Sequence, residues 1–342
     1  SSKLQQTKDS ARVFILEICI QFFNINNMPS YSRCLSSIPS PSSSYCPLRF
    51  RPVDADAIPV INRFLQLYKS RSCDFSLGGI YMWADYFGYE YCVARDTLFI
   101  KGISADGSRN PFFALPVGPH NLADSVNAIK AYCRKKGIGI LFSAITEEVL
   151  EKISPLGATE VTELADWADY IYRAEDLATL SGKAYNKKRN HVNRFMTDNP
   201  EWVLEPLKGK ALDDAREFFA GMDSGSYSLM AEYERKQCAN ILRHYSLYPF
   251  EGAVLRGNGG KVVAFTVAEI IGDTLIVHIE KMNHDVSGAG ESINKLFAAE
   301  MLMRYPGLKY INREDDAGDP GLRKAKQSYH PVAMLRKFNV TL

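Results

Sequence analysis

The sequence has no Cys-x-x-Cys pair, no apolar run long enough to span a bilayer and almost no net charge. Its seven cysteines, at 19, 34, 46, 73, 92, 133 and 238, are odd in number and scattered. That pattern speaks against a disulfide framework and offers no zinc-ligand spacing, so a reducing cytoplasm is the simplest setting. The longest apolar stretch near the N-terminus, residues 13–23, is too short to cross a membrane, and Glu17 interrupts it. No convincing small-residue cleavage pattern follows it. Contact with lipid is therefore expected to be peripheral, at the inner membrane face. With a net charge of +2, the surface as a whole does not attract nucleic acid, and an anionic partner needs a local basic patch.

What is present is ordinary globular material. The chain has 342 residues, room for two average domains, and 46% of them are hydrophobic. Residues 28–47 are dominated by serine and proline and have little to bury, so 1–47 reads as a disordered or non-native tail, with Met28 as a candidate natural start. Beyond it, a short strand at 48–53 and a helix at 56–69 open the first half. Strands at 89–94 and 97–102 follow, joined by an Arg95-Asp96 turn, then a strand at 111–117. Asn121 or Asp124 starts a helix that Gly137 ends, and 138–144 is a strand. A helix at 147–154 and strands at 158–164 and 168–172 complete this half. The second half repeats the order. After a linking helix, 183–197, come a strand at 202–206 and helices at 212–222 and 229–245. Three strands follow at 251–256, 261–270 and 274–281. A glycine loop, a helix at 291–305, a strand at 308–312, a helix at 320–328 and a strand at 334–340 close the chain. Strand–helix–strand units with short connections make right-handed crossovers between parallel strands. Two mixed α/β sheets are expected, in domains 48–182 and 183–342.

Two stretches carry a family resemblance. One is residues 170–183, YIYRAEDLATLSGK, continued by YNKKRNHVNRF at 185–195. The other is NREDDAG at 312–318, followed by GLRKAK at 321–326 and SYHP at 328–331. They resemble the family built on the C-terminal domain of phosphatidylglycerol lysyltransferase, over about 48–342. The resemblance implies a tandem pair of GNAT-type acyltransferase folds. It also implies transfer of an aminoacyl group from aminoacyl-tRNA, or of an acyl group from a thioester, onto an acceptor. The transmembrane part of full-length synthases is absent from this sequence. Peptidoglycan-bridge aminoacyltransferases, which share the architecture, carry a lysine followed by an aromatic near the C-terminus, and Lys326 with Tyr329 is similar to that element.

Acyl transfer needs an anchored donor, a stabilised oxyanion and proton management at the attacking group. The loop with Gly288 and Gly290 enters a helix, where free N–H groups hold phosphate; it reads equally as a plain turn. In a GNAT pyrophosphate loop an Arg or Gln precedes the glycines; here Asp285 and Val286 stand there, and Glu291 adds negative charge. Lys187, Lys188, Arg189 and Arg194 crowd one helix, with Lys187, Asn190, His191 and Arg194 on one face. That face suits the phosphates of a tRNA acceptor stem or an anionic lipid, or is simply solvated. Arg313, Glu314, Asp315 and Asp316 sit where a strand ends, and Arg323 and Lys326 lie on the next helix. Lys326 is the candidate for donor phosphate or oxyanion, and Glu314 or Asp315 for orienting or deprotonating an attacking ammonium. A salt-bridge network is the competing reading. Strict alternation puts His278 and Glu280 on one side of their strand, and the GNAT resemblance puts that strand beside the acyl group. Glu280 then grips the acceptor or the donor amine. No metal is expected, because His278 and His284 lack a third ligand at a recognisable spacing. Trp83, Tyr86, Phe87, Tyr89 and Tyr91 read as core.

The expected activity is aminoacyl transfer from aminoacyl-tRNA to an amine or hydroxyl acceptor, lipid-borne or not. A CoA-dependent N-acyltransferase and a non-catalytic RNA- or anionic-lipid-binding protein are the alternatives.

Overall fold

Two seven-stranded sheets organise the chain, and their strand orders match position for position. Across the first run β1 (Arg51–Pro52), β2 (Glu90–Ala94), β3 (Thr97–Ile103), β4 (Pro111–Phe113), β5 (Leu141–Thr146), β14 (Lys337–Thr341) and β6 (Glu160–Glu163). Across the second run β8 (Val203–Pro206), β9 (Glu251–Arg256), β10 (Val262–Ile271), β11 (Thr274–Met282), β12 (Tyr310–Asn312), β7 (Asp169–Arg173) and β13 (Ala333–Leu335). This computed structural model describes residues 47–104, 108–222 and 229–342, so the tail read over 1–47 lies outside it except for Pro47. Both sheets are mixed α/β and GNAT-like, as the sequence suggests.

Local chemistry accounts for the elements. Arg95 and Asp96 both take left-handed φ, 50° and 52°, which gives the β2–β3 hairpin a turn whose twist matches its strands. β4–β5 and β11–β12 are the parallel neighbours. Helix α3 (Leu122–Lys136) crosses over between the first pair, and α9 (Ala289–Arg304) between the second. Asn121 caps α3, its side chain accepting from the Ala123 N–H at 2.8 Å, and Gly137 ends the helix at φ 67°. The remaining helices are α1 (Ile58–Tyr68), α2 (Leu77–Met82), α4 (Glu147–Ile153), α5 (Ala174–Thr179), α6 (Asn186–Asp198), α7 (Lys210–Gly221), α8 (Leu229–Arg243) and α10 (Pro320–Gln327). Among the described residues no helix is long and apolar enough to cross a membrane.

Three features depart from the sequence reading. The stretch 334–340 is not one strand: Arg336 separates β13 from β14, and the two belong to different sheets. The strand expected to finish the first half, β7, lies in the second sheet between β12 and β13; β14 lies in the first between β5 and β6. The last strand of each half is thus exchanged. The helices α2 and α5, of six residues each, were also not anticipated, being too short to display a period. The 182/183 boundary coincides with no division between sheets. One apolar core joins Ile61, Phe113 and Phe142 to Phe219, Leu242 and Phe265, while a second lies under α5, α6 and α9. The described residues all belong to one compact unit.

Candidate functional site

The parallel pair β11–β12 stays in register for only three residues, from Thr274 opposite Tyr310 to Ile276 opposite Asn312. Beyond that point β11 continues to Met282 while the other chain turns away at Arg313. A gap therefore opens at the carboxyl ends of parallel strands, where α/β sheets commonly bind ligands. Arg313 and Glu280 meet across it at 2.7 Å. Asn312 sets the turn. Its buried amide donates to the Asp169 carboxylate at 2.8 Å and to the Arg71 carbonyl at 2.6 Å. Its side-chain oxygen accepts from the Glu314 N–H at 2.6 Å, and Glu314 holds φ 57°. That strained conformation persists because hydrogen bonds over-determine it.

Strict alternation fails on β11. The ladder with β10 shifts between Val267 and Ala268: Val267 pairs with Ile279 and Ala268 with Val277, leaving His278 as an extra residue. Such a bulge reverses the facing of everything beyond it. Val277 packs in the core under α9, whereas Ile279 packs in the core with α7 and α8. His278 and Glu280 therefore do not share a face. His278 is buried against the first half, its ring so close to Gly78 of α2 that any Cβ there would collide with it. Its Nδ1 meets Glu314 and its Nε2 meets Glu269, each at 2.7 Å. Burial alone would lower the imidazole pKa, but the two carboxylates outweigh it and raise the value to about 10. Glu269 also accepts from the Leu77 and Gly78 N–H groups, at 3.2 and 2.7 Å.

Beside the Glu280–Arg313 pair lies a cleft of about 410 Å³ walled by Lys188, Gly288, Glu291, Lys326 and Tyr329. It shares Met282, Asn283 and His284 with a groove of about 1230 Å³ that reaches Asp214 and Glu217 of α7 and Arg256 of β9. Tyr329 stands between two cations: the Lys188 ammonium lies 3.9 Å from its ring centre and the Arg313 guanidinium 5.1 Å. Burial holds the Tyr329 hydroxyl above its ordinary pKa despite the Arg313 charge. Lys326 is buried, and burial lowers its pKa although Glu314 draws it back up. Its ammonium donates to the carbonyls of Arg313, at 2.6 Å, and Asp315. An ammonium has three donors, and these carbonyls take up two of them.

The other residues singled out by sequence divide sharply. Of the basic segment, Lys188 and His191 reach the cleft. Lys187 is exposed; Arg189 donates to the Gly182 carbonyl at 2.7 Å and to Leu180 and Asn186; Arg194 pairs with Asp198 at 3.3 Å. Arg323 forks onto Asp316 at 2.8 and 2.9 Å and reaches Asp166 at 2.8 Å, which depresses the Asp316 pKa to about 2. It is a structural strut here, not a wall of the cleft. Glu314 holds His278 instead of facing a ligand. Asp315 is raised to about 6, chiefly by burial. Gly288 takes φ 78°, and a Cβ on it would strike the His191 carbonyl, so this glycine is required by the approach of α6 to α9. Gly290 faces Met282. Of the aromatic residues read as core, Phe87 and Tyr91 are buried, while half-buried Trp83 stacks on Tyr233 of α8 at 5.6 Å.

The family model for the C-terminal part of phosphatidylglycerol lysyltransferase matches residues 65–341. The chain belongs to this family. A conserved protein of unknown function from Bacteroides thetaiotaomicron is similar at 28% identity, with a TM-score of 0.78 over 86% of this chain and 99% of that one. The C-terminal domain of a putative lysylphosphatidylglycerol synthetase from Agrobacterium fabrum superposes with a TM-score of 0.59 at 16% identity, covering 84% of this chain and 92% of that one. L-PGS from Bacillus licheniformis gives 0.57 at 15%, covering 83% and 91%. These last two share the fold. No curated protein matches the chain.

In this member of the lysyltransferase family, a second buried polar cluster lies behind the site. The Lys337 ammonium meets Asp169 at 2.6 Å and Asp74 at 2.5 Å, and lies 3.4 Å from the Cys73 sulfur. Lys337 and Asp169 are the first residues of the two exchanged strands. Burial would lower the lysine pKa, but Asp169 and Asp74 raise it well above normal. Cys73, Asp169 and Asp315 have ligand atoms close enough to share an ion. Lys337 already supplies the cation there, so a metal does not fit. None of these contacts has a sequence signature, since each joins residues far apart in the chain.

Proposed function

We propose that the cleft transfers an aminoacyl group from aminoacyl-tRNA to an amine or hydroxyl acceptor, lipid-borne or not. The carrying observation is the gap between β11 and β12, in a chain of this family, with Glu280 and Arg313 facing each other across it. The acceptor heteroatom attacks the ester carbonyl carbon. The bond from that carbon to the ribose oxygen breaks, and the proton of the acceptor goes to the departing ribose hydroxyl. Glu280 supplies a carboxylate for the α-ammonium of the donor, and the third donor of Lys326 meets the oxyanion as it develops. The adjoining groove has space for the acceptor, and its shared wall at Met282–His284 brings the two substrates together.

The test is transfer of labelled amino acids from a full set of charged tRNAs into lipid and peptide fractions. Transfer with at least one tRNA is expected, and none at all would sink the reading. Glu280→Gln should lower kcat/KM by about 100-fold or more. Retained activity in Lys326→Ala would remove Lys326 from the mechanism. Salt-steep binding without turnover would instead indicate a binding protein.

A further inference from the structure

Every cation of the cleft already has a partner inside the protein. Arg313 has Glu280, Lys326 has two backbone carbonyls, and Lys188 has Glu291 at 3.5 Å. Glu291 stands out among these. It lies in the first turn of α9, whose N-cap is Gly288 with no side-chain cap. Its side chain is 22% exposed and that of Lys188 14%, so the pair is largely withdrawn from water. Burial lowers the Lys188 pKa, and Glu291 is the main group that draws it back up. The carboxylate thus takes up the lysine and the positive end of the helix together, the two features that would otherwise draw a phosphate. Gly288 gives no contrary signal, because packing against the His191 carbonyl accounts for it.

We propose that Glu291 is a specificity-determining residue: a fixed counter-anion that excludes compact polyanions such as the pyrophosphate of coenzyme A from the cleft. The inference rests on the reading of the cleft as an acyl-donor site, and it deepens that reading by saying which donors are refused. A pyrophosphate brought to the α9 N-terminus would meet Glu291 at close range in a poorly hydrated setting, and like charges there are strongly unfavourable. An aminoacyl ester on a long RNA carries its phosphates spread along the strand, so it can place the ester in the cleft without concentrating charge on Glu291. Selectivity then comes from a built-in repulsion as well as from favourable contacts.

Calorimetric titration of the full chain with coenzyme A and with inorganic pyrophosphate decides the matter, with no aminoacyl donor present. Glu291→Gln should bind both at least about tenfold more tightly than the unsubstituted protein. Adding Lys188→Met to Glu291→Gln should abolish that gain, because the released ammonium is what captures the phosphate. Should Glu291→Gln unfold, Glu291→Ser, a residue suited to a helix start, carries the same expectation. Equal affinity with and without Glu291, whether strong or undetectable, would overturn the proposal. So would a gain that survives loss of Lys188. Because the readout is binding of coenzyme A, a failed aminoacyl-transfer assay would leave this result standing, and the converse also holds.

Discussion

The two sheets share one strand order and have opposite fates at the same place. In the first, the parallel pair β4–β5 meets only at Phe113 and Phe142, and beyond it the buried Leu115 and Ala144 line a space of only about 30 Å³. In the second, the corresponding divergence of β11 and β12 is filled by Glu280 and Arg313. The helices that follow differ in the same sense. Asn121 satisfies the start of α3 with its own side chain, while α9 starts on Gly288 with no side-chain cap. One backbone plan therefore gives a plugged core when apolar side chains line the divergence, and a site when charged groups do. Fold sets where a site can form; the side chains at the divergence decide whether one does.

The comparison breaks most severely where the sheets are tied together. The exchanged strands β7 and β14 begin on Asp169 and Lys337, fully buried and 2.6 Å apart. Lys337→Met would leave the Asp169 carboxylate buried with no cation. Removing one member of such a pair costs about 3–5 kcal/mol, a fall in Tm of roughly 10 °C. Thermal unfolding measures it, and a loss below about 1 kcal/mol would mean that the ion pair does not hold the exchange.

A smaller effect sharpens the difference between the sheets through pH. His278 has no counterpart in the plugged divergence of the first sheet. Its folded pKa, about 10, lies above its unfolded value near 6.5. The stabilisation it brings is therefore fully present below pH 6.5 and is lost as pH rises through 10. Glu269→Gln should lower the folded pKa, remove on the order of 2 kcal/mol at neutral pH and flatten the alkaline loss. Urea unfolding across pH 6–10 reports it; an alkaline limb of unchanged slope would show that His278 is not the titrating group.

How much of this was legible beforehand follows from where each signal resides. The meanders, the crossover helices and the cap at Asn121 depend on neighbours within a few residues, and the period and turn chemistry of those residues display them. Lys326 and Tyr329 are reached through motif resemblance and Glu280 through the place of its strand in a GNAT fold, and the cleft brings these three together. Two things stayed hidden. The strand exchange leaves no local trace, since β13 and β14 are separated by one residue yet go to different sheets. The bulge at His278 is a pairing irregularity with β10, so alternation along β11 alone misassigned the histidine. Glu314 looked available because its partner, His278, is distant in sequence.

The smallest effect concerns the helix starts. Asn121 accepts from the Ala123 N–H at 2.8 Å, so Asn121→Ala should cost about 1 kcal/mol, or about 2–3 °C in Tm. Asn121→Gly, which imitates the start of α9, should cost only a few tenths of that, because glycine tolerates the cap conformation and leaves the N–H open to water. Neither change should alter transfer of an aminoacyl group, since α3 belongs to the plugged half. At α9 the exchange runs the other way. Gly288 lies at φ 78° against the His191 carbonyl, so no capping side chain can be installed there without moving α6. If Asn121→Ala reduced transfer while leaving Tm unchanged, the first sheet would be part of the active machinery and the division of labour between the sheets would fail.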